Sequence, residues 1–81
     1  MHEILNDPIE VRVDFTQNHV RPRVVTWGST VFQPTLVNLI HQSREGEQMI
    51  FYFSVSDDAH FLKLRFNPQN MQWRLVEIYS D

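Results

Sequence analysis

The chain of 81 residues contains no cysteine, only two glycines, and no apolar run approaching the ~18 residues needed to cross a bilayer. The absence of cysteine excludes a disulfide scaffold, thiolate ligation of zinc and a cysteine nucleophile. Two isolated glycines leave no Gly-rich phosphate loop and no nucleophile elbow. The start, MHEILNDP, lacks a basic region followed by an apolar core, so neither a targeting segment nor a membrane partner is expected. Positive charge is also scarce. A net charge of −3 with a pI near 5.7 argues against a generic polyanion binder.

What the chain does have is apolar and aromatic material: 42% hydrophobic residues, ten of the 81 being aromatic. That composition is unlike an intrinsically disordered chain. A domain this small buries only about 60% of its unfolded surface, so a stable fold needs most of those side chains inside, around one core.

Residues 1–8 carry little pattern and end at Pro8, which predicts a loosely ordered start, with one β domain over 9–81. From Ile9 to Phe15 the sequence IEVRVDF alternates strictly, as in a strand with one wet face. Arg23–Trp27 is rich in β-branched residues, and Gly28-Ser29 reads as a two-residue hairpin turn before Thr30-Val31-Phe32. The segment Gln33–Ser43 is ambiguous. Leu36, Val37, Leu39 and Ile40 fit the stripe of a short helix within residues 34–43, but Thr35, Val37 and Ile40 are β-branched and no side chain caps the start. A bent strand continuing from Thr30 is favoured, and either conformation would bury the leucines. Gln48–Ser56 and His60–Phe66 alternate again, separated by Asp57-Asp58-Ala59, and a turn at Asn67–Asn70, with Asn70 left-handed, leads to a last strand from Met71. The expected fold is all-β. It is a six-stranded antiparallel meander curled into a small barrel or a strongly twisted, half-open sheet, with Phe15, Phe51, Phe53, Phe66 and Trp73 turned inward.

No catalytic constellation is expected. The carboxylates lie at termini, in turns or on wet strand faces, and the adjacent pair Asp57-Asp58 has a sufficient explanation as turn chemistry. His2, His19, His41 and His60 stand about 20 residues apart without the close pairing of zinc ligands, so no metal and no cofactor is expected.

Binding surfaces remain. Between Phe15 and Arg44, and again between Ala59 and Val76, there is no acidic residue. If the strand of Arg23 neighbours that of Lys63, a face of Arg23, Phe61, Lys63, Arg65 and Arg74 results. An aromatic flanked by cations can stack and neutralise single-stranded nucleic acid. The simpler reading pairs these cations with cross-strand acids such as Glu10 or Asp14. Trp27, Tyr52 and Tyr79 are left as an apolar patch for a partner. The sequence therefore points to a small non-enzymatic binding module. Its expected partner is a protein or a second copy of itself, through an edge strand or an aromatic patch, with single-stranded nucleic acid as the alternative.

Pro22 to Gly28 (PRVVTWG), Val31-Phe32, Phe51–Val55 (FYFSV), Leu62–Asn67 (LKLRFN) and Gln72–Ile78 (QWRLVEI) together resemble a family of short bacterial β-rich domains of unknown function. Members of that family are sometimes found beside proteins similar to translesion DNA polymerases. The resemblance implies a small β domain in a cytoplasmic, bacterial setting, and it implies no activity. Here Gly28 follows Trp27 directly, and the basic residues that often follow that glycine are absent.

Overall fold

Alternating apolar and polar residues, interrupted by two- to four-residue turns, make the chain a succession of antiparallel strands. The computed structural model describes residues 1–80, so Asp81, the last residue of the expected domain, lies outside the described residues. The strands are β1 (His2–Thr16), β2 (His19–Trp27), β3 (Thr30–Phe32), β4 (Leu36–Glu45), β5 (Gln48–Ser56), β6 (His60–Asn67) and β7 (Gln72–Ser80). They form one sheet in the order β3-β2-β1-β7-β6-β5-β4, antiparallel throughout.

In this order the first and last strands are neighbours near the middle of the sheet. The consecutive strands β3 and β4, from the middle of the chain, are its two edges. It is the order of an up-and-down ring opened between β3 and β4. Laid flat, seven strands would span about 29 Å from edge to edge. Phe32 ends one edge and Leu36 begins the other, and four residue steps reach at most about 14 Å. The sheet must therefore curl. It stops short of a barrel because Gln33–Thr35 crosses the gap without pairing β3 to β4. Instead the Thr35 amide donates to Ser56 O at 2.9 Å, and Pro34 has no N–H to offer.

The long β1 divides the sheet into two wings. Its first half, His2–Ile9, pairs with β7, and its second half, Glu10–Thr16, pairs with β2. At the junction Trp27 Nε1 donates to Asp7 Oδ2 at 2.9 Å, tying β2 to the half of β1 that it does not pair with. Val25, Phe32, Phe53, Val55, Leu62, Leu64, Leu75 and Ile78 fill the concave side. Trp73 leans on that core between Phe53 and Phe66, with ring centroids at 5.3 and 4.6 Å.

Several expectations are corrected. Among the described residues there are seven strands rather than six, because Pro34 splits the bent strand predicted from Thr30 into β3 and β4, and residues 34–43 contain no helix. Residues 2–8, expected loose, are paired along β7, whose ladder supplies the hydrogen bonds that the short sequence pattern did not announce. Phe15 is 71% exposed, since the β1–β2 hairpin runs beyond the core at that point. The left-handed residue of the β6–β7 turn is Met71 (φ 61°), not Asn70. The Met71 amide donates to Asn67 O, while Asn70 accepts from the amide of Gln72. In β7 the register shift opposite Lys63 and Leu64 resets the alternation, so Leu75 and Ile78 both reach the core. Ile50 lies on the outer phase of β5 and is nonetheless fully buried, outside the main core cluster.

Candidate interaction surfaces: the outer face and the β4 edge

Alternation along β5, β6 and β7 places Tyr52, Phe61, Lys63, Arg65, Arg74, Glu77 and Tyr79 on the convex, outer face. The ladders align Ser54, Lys63 and Glu77 in one row, Tyr52, Arg65 and Arg74 in a second, and Ser56, Phe61, Tyr79 and His2 in a third. Four of the five residues of the expected basic face, Phe61, Lys63, Arg65 and Arg74, are thus together. Arg23 is not with them. Two strands, β1 and β7, separate β2 from β6, and Arg23 Nε lies 3.5 Å from Asp14.

The cations of the outer face are already engaged. Arg65 Nη2 donates to Glu45 Oε1 at 3.0 Å, Lys63 Nζ sits 3.9 Å from Glu77, and Arg74 Nη1 donates to Asn6 O at 2.9 Å. The acids that pair with Lys63 and Arg65 are Glu77 and Glu45, not Glu10 and Asp14. Glu45 also accepts from the Tyr52 hydroxyl. The bonds from Tyr52 and Arg65 hold the Glu45 carboxyl below its usual range, whereas burial and the bond to Glu45 push Tyr52 up. Lys63 Nζ lies 5.1 Å from the centroid of the Tyr52 ring, close enough for a cation–π contact.

Trp27, Tyr52 and Tyr79 do not form one patch. Trp27 turns inward to Asp7 and packs against the core, and Tyr52 is held by Glu45 in the middle of the outer face. Tyr79 stacks on His2 at 3.9 Å and meets the edge of Phe61 at 5.8 Å near one end of the sheet. His2 also faces Glu77 at 3.0 Å. Beside this cluster, the Asp57 carboxylate accepts from the amides of Ala59 (2.8 Å) and His60 (2.7 Å) and from the His60 ring (3.1 Å). Burial of Asp57 opposes its charged form, but these hydrogen bonds prevail and lower its pKa. They make Asp57 the organiser of its own turn. Among the described residues, no three His, Asp or Glu side chains converge as metal ligands.

The remaining surface is an edge strand, expected from the sequence but not assigned there to residues 36–45. β4 is bonded on one side only, to β5, along its ten residues. Leu36 and Leu39, expected to be buried, are 61% and 59% exposed, and Ile40 is 45% exposed. Leu36 and Leu39 share the outer phase with Ser56 and Ser54, their partners on β5, while Ile40 takes the phase of Phe53. Leu36 and Leu39 are exposed on the open outer face, and Ile40 is exposed despite its core phase because β4 is the last strand of the order. The strand contains no proline, and from Leu36 to Ser43 no Asp, Glu, Lys or Arg. A long, uncharged edge strand with exposed apolar side chains is a template for another strand.

No family model matches this sequence, and neither a curated protein nor a solved structure matches it.

Proposed function

We propose that this protein is a small non-enzymatic binding module that recognises proteins by strand addition at the β4 edge. The observation that carries the reading is β4 itself: ten residues, unpaired on one side, with Leu36, Leu39 and Ile40 exposed. In strand addition the main chain of the guest completes the ladder and alternate side chains supply selectivity. Here the selecting side chains are apolar on both faces. The outer face supports single-stranded nucleic acid less well, because Lys63, Arg65 and Arg74 already have partners. The resemblance to short bacterial domains adds a cytoplasmic setting to the proposal and no activity.

The test is a selection of displayed random peptides against the immobilised chain, followed by mapping of amide shifts on titration. The expected guests are uncharged, β-branched segments that move the amides of Leu36–Ser43. Leu39→Lys should weaken them about tenfold or more, since an ammonium would be drawn into the seam. Guests that map to the outer face would overturn the proposal, and so would the absence of any guest for a chain that stays monomeric.

A further inference from the structure

Resting on that reading and narrowing it, we propose that the strand received by β4 is β4 of a second copy of this chain, antiparallel to the first about a two-fold axis beside Ile40. Directly opposed residues in an antiparallel pair point to the same side of the sheet. A symmetric pair must therefore centre on a residue, not between two. Closed two-fold pairs are the commonest homo-oligomers, and a strand edge that pairs with itself closes after two copies.

Centring on Ile40 fits what β4 carries. Ile40 then stands beside its symmetry mate, and Leu39 faces His41 of the other copy. Centring on Leu39 instead would bring the irregularity between Val37 and Leu39 straight into the middle of the new ladder. Centring on His41 would carry Glu45 into the apolar stretch. In the Ile40 register, Arg44 and Glu45 of each copy fall opposite Leu36 and Thr35 of the other, at the uncharged end of the seam. No like charges meet across the seam. A charged guest strand would find no counter-charge between Leu36 and Ser43, whereas β4 itself brings an uncharged stretch of matching length.

The chain has no cysteine, which makes the test direct. In Ile40→Cys the only thiol of each copy would lie next to its mate. Opposed residues in antiparallel strands are about 4.5–5.5 Å apart at Cα, within reach of a disulfide. Val31→Cys, exposed on the opposite edge strand β3, is the control. The expected results are three. The parent sediments as a reversible dimer at micromolar concentration, mild oxidation cross-links Ile40→Cys but not Val31→Cys, and Ile40→Lys raises the dimer dissociation constant at least about tenfold. Leu39→Lys repeats the last measurement at a more exposed position, should Ile40→Lys fail to fold. A parent that stays monomeric at high concentration would overturn self-pairing. So would a dimer that survives both lysine variants, or one that cross-links equally through position 31. Peptides that bind β4 of a monomeric parent would sink this inference and leave strand addition standing. Peptides that bind elsewhere would sink both.

Discussion

The two edges of the sheet are built on opposite plans. On the β2–β3 side, β3 is three residues long and covers only Val25–Trp27. The uncovered part of β2 contains Pro22, which lacks an N–H, flanked by Arg21 and Arg23, and the β1–β2 ladder is irregular at Arg12 and Val13. A short strand, a proline, charges and a bulge are recognised ways of discouraging a further strand. That edge is also fastened to the core, where Val25 and Phe32 are buried and the Phe32 ring meets His60 edge-on at 5.1 Å. The β4 side has ten residues, an uncharged stretch and exposed leucines, with charge only at its end. The β3 side is thus guarded by shortness, proline and charge, whereas β4 shares with it only a register irregularity, between Val37 and Leu39.

The largest expected difference between the edges is in stability. Phe32→Ala should destabilise the fold by about 3–5 kcal/mol, because the ring leaves a cavity between Trp27 and His60. At concentrations where the chain is monomeric, Leu39→Ala should change stability by less than about 0.5 kcal/mol, because the side chain is then mostly in solvent. Thermal or urea unfolding of the two variants checks this. Equal losses would mean that the edges do not differ in how they are fastened.

A smaller effect should be the same on both sides. Gly28 closes the β2–β3 hairpin and Gly46 the β4–β5 hairpin, with φ of +59° and +64°, and a Cβ at either would meet nothing within 4 Å. The cost of Gly28→Ala and Gly46→Ala is then the left-handed backbone alone, roughly 1–2 kcal/mol each. Chemical denaturation should give matching losses. Unequal ones would show that one hairpin depends on its edge.

The smallest effect concerns the tie between β4 and the outer face. Glu45 ends β4 and is held by Tyr52 of β5 and Arg65 of β6. Its pKa is lowered, so its contribution is present above the ordinary carboxylate range and is lost as the pH falls through the lowered value. Asp57 follows the same sign. Tyr52 is raised, so its contribution holds below the ordinary tyrosine range and is lost as the pH climbs through the raised value. The Glu45–Arg65 pair is partly exposed and should be worth about 0–1 kcal/mol. Melting curves across the acid range should therefore fall less steeply for Glu45→Gln than for the parent. Amide exchange at Arg44 and Glu45 should quicken in the variant while that at Phe32 does not change.

Much of this was legible in the chain. Strict alternation in IEVRVDF, QMIFYFSVS and HFLKLRF sets which side chains share a face, and Gly28-Ser29 and Asp57–His60 announce their turns. The grouping of Phe61, Lys63 and Arg65 follows from the period of a strand alone. Their acids did not follow, because Glu77 and Glu45 meet them only through the pairing of β6 with β7 and the closeness of β4 to β5 and β6. Phe15 read as core because its phase is correct; its strand simply outruns the core.

By itself the sequence determined the all-β class, the strand faces, most turns and the absence of thiol chemistry, since each depends on residues close along the chain. Tertiary structure alone decided which strands are neighbours and which are last. β1 beside β7 brings the chain's two ends together in the sheet, drawing residues 2–8 into a ladder that their own pattern does not demand. The same ordering opens the ring at Pro34 and leaves β4 with a neighbour on one side only, so that Leu36, Leu39 and Ile40 are surface and not core. A leucine in an interior strand and one in an edge strand obey the same alternation. They differ in whether another strand lies beyond them, and that depends on contacts between residues far apart in the chain.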